Sequence, residues 1–172
     1  MPFRAVARWQ DVPADVLDAQ YSALSFLSDG GFRFFLPAWV VADLEGRLRT
    51  ADPVFHLAGG FHRMAVAVPV GRTSVIRRSG GDVLLNPRRL GALTFEDHAR
   101  YRLGVFCREE ARAILAYLRH RREAATLKVE RETIDAAVDR FSTPRAETAP
   151  ARDALDAHLA DEAAFLQALR NR

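Results

Sequence analysis

Apolar residues recur along much of this chain at three- and four-residue intervals, the spacing of one helix face. The first such series follows Pro13, a residue suited to an opening helical turn. Val16, Leu17, Tyr21 and Leu24 share its stripe, with Asp15 and Asp18 opposite. Ser28-Asp29-Gly30-Gly31 then reads as a break and a fresh helix cap. In the next segment Phe32, Phe35, Leu36, Trp39, Val40 and Leu44 form an i, i+3, i+4, i+7 series around FRFFLPAWVV. Phe34 lies off that stripe and Val41 on its margin, so the helix is apolar nearly all round. That pattern predicts a central, buried helix. Pro37 removes one backbone donor and crowds the preceding turn, which predicts a bend or a stop and restart there.

The pattern changes over residues 53–90. Met64–Val70 and Arg72–Arg78 lean towards strand, as does Asp82–Leu85, with Gly71 and Ser79-Gly80-Gly81 as turns. This predicts a β-meander or hairpin excursion at about 61–90, with Pro69 confining its strand to an edge. Helical spacing returns after Thr94-Phe95-Glu96-Asp97. A longer helix is expected from about Arg108 to Ala124, its stripe formed by Ala111, Ile114, Leu115 and Leu118. Glu109 and Glu110 open it, and Arg119, Arg121 and Arg122 close it, as the helix dipole favours. Another helix is expected over Glu130–Phe141. Ser142–Pro150, with two prolines, reads as a linker, and Ala151–Leu169 as a last helix carrying Leu155, Leu159, Ala163 and Leu166. The expected fold is mainly α (α+β): a helical domain over 1–141, a linker at 142–150 and a C-terminal helix over 151–172.

Composition narrows the classes. The chain has 172 residues, 49% of them apolar, enough for one domain with a substantial core. Its longest apolar run, Phe34–Ala42, is nine residues, where a membrane span takes about 20. The opening residues lack the apolar stretch of a signal peptide, so a cytoplasmic location without membrane attachment is expected. The net charge of +3 is unevenly spread. Residues 1–60 hold seven acids and five bases, residues 61–128 six acids and 14 bases, and residues 129–172 nine acids and six bases. A basic middle between acidic ends either faces an anionic partner or is neutralised by those ends folding back. Twenty-four of the 25 bases are Arg, a bias of the whole chain and not of one patch.

Motifs for nucleotide loops, nucleophile elbows and HExxH or CxxC metal sites are absent from the sequence. Leu57-Ala58-Gly59-Gly60 has two glycines but no following Lys, and reads as a turn. It could bring His56 and His62 to one ion, but a catalytic site needs about three protein ligands, so no metal and no cofactor are expected. Cys107, the single cysteine, excludes an internal disulfide. At the start of a helix its thiol pKa is expected to be lowered. The candidate binding residues are Arg63, Arg72, Arg77, Arg78, Arg88 and Arg89 on the excursion, with Arg119 and Arg122 (and Arg121) on the long helix. They could track phosphates or an acidic protein.

Ala23-Leu24-Ser25-Phe26-Leu27-Ser28 with Phe32-Arg33-Phe34-Phe35-Leu36-Pro37-Ala38-Trp39 resembles a group of small uncharacterised bacterial proteins whose pattern is "aLsFLsp-x-xFryyLPAyl". Glu109–Leu118 is similar to their later "Ai-xx-YL" helix, and Ile134–Phe141 to their closing element, with Phe141 where Trp is usual. The resemblance covers about residues 9–141 and implies a mostly helical fold. It implies no activity and carries over no catalytic residues. The function expected is that of a small non-enzymatic interaction protein, with a toxin-neutralising or regulatory role, whose partner is another protein and which a homodimer would also suit. The alternative is a nucleic-acid-associated protein using the basic 61–128 region, with weak, salt-sensitive binding. Against neutralising a nuclease stands the basic charge, since a nucleic-acid mimic should be acidic.

Overall fold

The computed structural model describes residues 6–80, 94–157 and 160, with 63–66 and 77–80 described by their backbone alone. The fold is mainly α with one antiparallel hairpin. A single helical turn at Trp9–Asp11 leads into α1 (Ala14–Ala19), which starts after Pro13, and then α2 (Ala23–Phe26). In α3 (Asp29–Leu44) the Ser28 hydroxyl accepts the Gly31 N–H at 3.2 Å, the cap expected from the Ser-Asp-Gly-Gly break. The helix runs through Pro37 without interruption, so of the two expected outcomes the stop and restart does not occur.

α3 carries the core. Phe32 and Trp39 are fully enclosed, and Phe35, Leu36, Ala38 and Ala42 are buried beside them. Each fully buried Phe or Leu of this kind contributes roughly 1.5–3 kcal/mol. Leu44, expected on the same stripe, is half exposed, because the stripe runs past the end of the core. Phe34 is the exposed ring, and it meets Phe35 edge to face at 4.8 Å. Leu17, Leu24, Leu57, Phe61, Leu118 and Ile134 complete the enclosed set, and Phe106 packs edge to face on Phe32 at 5.7 Å.

Loops are tied by single side chains. The Asp18 carboxylate accepts the N–H groups of Arg49, Thr50 and Ala51 at 2.7–2.9 Å, and those bonds hold its pKa below the usual value. Asp52 then caps α4 (Pro53–Ala58) through the Val54 N–H. This helix was not expected from the spacing. A turn at Gly59–Phe61 leads to the hairpin of β1 (Arg63–Val70) and β2 (Thr73–Gly80). Its register pairs Val70 with Thr73 and Pro69 with Ser74, closing on Gly71-Arg72. Gly71 has φ +61°, a conformation that a side chain would strain. Among the described residues the sheet has these two strands, so Pro69 sits on an edge there.

α5 (Phe95–Leu103) opens with a capping box between Thr94 and Asp97, and α6 (Arg108–Ala124) matches the expected long helix. α7 (Lys128–Ala137) passes through a π turn at Val138–Ser142 into α8 (Thr143–Thr148). The stretch read as a linker is therefore largely helical. Ala146 and Ala149 are buried, Arg145 donates to the Gly104 and Phe106 carbonyls, and Arg108 donates to the Ala149 carbonyl. Pro144 stands at the start of α8, directly after the π turn. Residues 152–157 are helical, with Leu155 buried. The expected strand at Asp82–Leu85 and the rest of the last helix lie outside the described residues. Among the described residues, no helix is long and apolar enough to cross a membrane.

Candidate interaction surface

The cationic candidates come from separate elements. Arg63, Arg72, Arg77 and Arg78 share the hairpin, whose sequence from 63 to 80 contains no acid. Arg72 stands exposed at its tip, and Val70, Val75 and Ile76 are more than half exposed. Arg88 and Arg89 lie outside the described residues. Arg119 is exposed near the end of α6, and Arg122 on the following turn is paired with Asp135 at 3.0 Å. Arg121 is held by Asp43, which also accepts the Tyr117 hydroxyl at 2.7 Å. Burial, reinforced by that carboxylate, pushes the Tyr117 pKa far up.

Part of the basic middle is thus neutralised from the acidic ends: Asp43 holds Arg121, Asp29 meets Arg102 at 3.7 Å and Asp135 meets Arg122. Exchange runs the other way too, since Arg33 from the front donates to Glu110 at 2.9 Å and to Asp156 at 3.0 Å. Glu96 is buried on α5 and takes Arg100 at 2.7 Å and Arg140 at 3.1 Å.

A different constellation emerges where α2, α4 and α5 meet. A cleft of about 450 Å³ is lined by Ser25, Phe55, His56, Phe95, His98 and Arg102, with Gly59, Gly60 and Ala99 between its walls. The walls stand close because Gly60 has no side chain. A Cβ there would lie 2.5 Å from the Ala99 Cβ and 3.0 Å from the Phe95 carbonyl, closer than atoms pack. Ser25, Phe55, Phe95 and His98 form the exposed outer part, and His56, Ala99 and Arg102 the half-buried inner part.

His56 and Arg102 are both engaged with the chain itself. The Ser25 Oγ lies 3.4 Å from His56 Nδ1. Burial depresses the His56 pKa below its ordinary value, against the opposite pull of the Tyr21 carbonyl and Asp52. Arg102 donates to the Leu24 and Leu27 carbonyls and lays its guanidinium over Phe32, 4.3 Å from the ring centroid. It is a strut joining α5 to the α2–α3 turn.

Phe55 and Phe95, 65% and 42% exposed, line the cleft, and Phe26 and Tyr101, 77% and 73% exposed, belong to two of the helices bordering it. The hairpin leaves the body at the same edge, since β1 follows directly on the Gly59–Phe61 turn and β2 packs against that turn.

Other expectations resolve differently. His62 does not line the cleft, and its Nε2 is enclosed without a hydrogen-bond partner. Among the described residues no group of three or more His, Cys, Asp or Glu side chains is placed to hold a metal ion. Cys107 does cap α6, but it is fully buried, and burial pushes its thiol pKa up, not down. The helix terminus is already satisfied by Glu110, whose carboxylate accepts the Cys107 N–H at 2.9 Å. Ser25, Phe55, Phe95, His98 and Arg102 were not picked out from the sequence. Their one signal was aromatic residues lying off the buried stripes of short helices.

Compared with protein-family models, curated proteins and solved structures, the chain finds no match.

Proposed function

We propose that this chain is a non-enzymatic protein-interaction module whose working surface is the aromatic-rimmed cleft together with the adjoining hairpin. The observation that carries the reading is four exposed aromatic rings on the helices bordering one cleft, two of which, Phe55 and Phe95, line it. Such rings are poor choices for a face that meets only water, and they are the side chains that anchor interfaces. The hairpin adds a complementary element: exposed Val70, Val75 and Ile76, and four arginines with no acid among them. An acidic protein surface presenting apolar anchors fits both parts.

Capture experiments with the purified protein, run in lysate of its source organism at moderate salt, test this. The wild type should retain a protein that the F55A/F95A/Y101A variant loses, while the variant melts within a few degrees of wild type. Equal capture by both, or capture by neither, contradicts the proposal.

The acid-free hairpin favours a second reading, in which its arginines follow a nucleic-acid backbone. Titration of oligonucleotides at two salt concentrations separates the two. Affinity that falls steeply with salt, and that R72A/R77A/R78A lowers, supports the nucleic-acid reading. Absence of binding at low salt removes it.

A further inference from the structure

Where the π turn at Val138–Ser142 runs into α8, two polar atoms are enclosed without a protein partner. Ser142 is 3% exposed, and among the described residues its Oγ has no hydrogen bond. The Nε of Arg145, three residues on, is enclosed and has none either. A buried polar group without a partner is rare in a folded protein and costly, so each of these atoms calls for one.

Small adjustments do not supply it. A helical serine hydroxyl often bonds the carbonyl four residues back, but in the π turn the Val138 carbonyl receives the Thr143 N–H. The Arg145 guanidinium is anchored at its far end, where Nη2 donates to the Gly104 carbonyl at 2.6 Å and to the Phe106 carbonyl at 2.9 Å. That grip keeps Nε from swinging out to bulk solvent.

Both residues line one small cavity, whose other walls are Leu103, Phe106, Ala111, Ile114 and Phe141. It leaves about 10 Å³ for the centre of a water-sized sphere, about the room that a single water takes. A cavity walled only by apolar groups stays dry, whereas two polar partners are enough to hold a water. Here Nε–H is a donor and the hydroxyl can donate or accept. A metal cation would meet a guanidinium and no carboxylate in this lining. A halide would find two donors, but it is larger than water and would lie against five apolar side chains.

We propose that one water molecule is bound in this cavity as a fixed part of the fold, accepting the Arg145 Nε–H and bonding the Ser142 hydroxyl. It ties the π turn to α8 and, through Arg145, to the Gly104–Phe106 connection between α5 and α6. The site is separate from the cleft and does not rest on the interaction reading.

A crystal structure of the full-length protein, at a resolution that shows ordered water and with bromide in place of chloride, tests this. The map should hold one peak without anomalous signal, about 2.7–3.2 Å from both Ser142 Oγ and Arg145 Nε. No peak there, an anomalous bromide signal at the peak, or a direct protein partner on both atoms overturns the proposal. Oxygen-17 relaxation dispersion of the solvent gives a second reading in solution. Ser142→Val removes the hydroxyl and puts methyl groups into the cavity, so the dispersion amplitude should fall by the share of one long-lived water. An amplitude equal to wild type overturns the proposal, and should Ser142→Val fail to fold, the wild-type map decides alone.

Discussion

Trp39 is completely enclosed, and its indole N–H donates to the Leu17 carbonyl at 3.1 Å, tying α3 to α1 through the middle of the core. Trp39→Phe keeps most of the apolar surface and removes one of that carbonyl's two donors, the Gln20 N–H at 3.2 Å remaining. It should cost about 0.5–1.5 kcal/mol in urea unfolding, the net worth of one hydrogen bond. A variant as stable as wild type would show that the bond contributes nothing. Cys107 makes the opposite kind of statement. Because burial raises its thiol pKa and hides the sulfur, Ellman's reagent should label it slowly in native protein and promptly in 6 M guanidinium chloride, a concentration that about saturates unfolding for most domains. Rapid labelling of the folded protein would contradict the buried position. The sequence pointed to a helix start at this residue correctly. What it could not convey was that the same residue would be walled in by the core, and desolvation outweighs the helix terminus.

The hairpin is the element that stands most apart. Its two strands bond chiefly to each other, and among the described elements it reaches the body mainly through the Gly59–Phe61 turn. Replacing residues 67–76 with a short Gly-Ser turn should therefore leave the helical circular-dichroism signal and cooperative melting intact, while weakening partner capture. Collapse of the helical fold on this replacement would make the hairpin part of the scaffold. Elements with long periodic stripes were legible: α3 and α6 follow from spacing, and α5 from the Thr94–Asp97 box. α4 was not, since six residues are too few to display a period. α8 was masked by Pro144 and Pro150, which mark a linker in sequence but here begin and follow a helical turn. The cleft was the least legible feature. Ser25, His56 and His98 belong to three helices, and only packing that needs Gly60 to be bare brings their walls together.

At the scale of the molecule, the acidic ends and basic middle fold onto one another through Asp43, Asp29 and Asp135, leaving the hairpin as the acid-free arm of the chain. The segment Phe32–Val41 is the interior wall that makes this possible, with Phe32, Phe35, Leu36 and Trp39 turned inward. Recognition then falls to rings outside that wall. The most direct measurement places a photo-crosslinking benzoylphenylalanine at Phe55, in the cleft rim, and in a separate protein at Leu127, an exposed apolar residue that does not line the cleft. After irradiation in cells, position 55 should yield a discrete crosslinked species containing a second protein, and position 127 should not. Equal crosslinking from both positions, or none from position 55, would contradict the assignment of this cleft as the working surface.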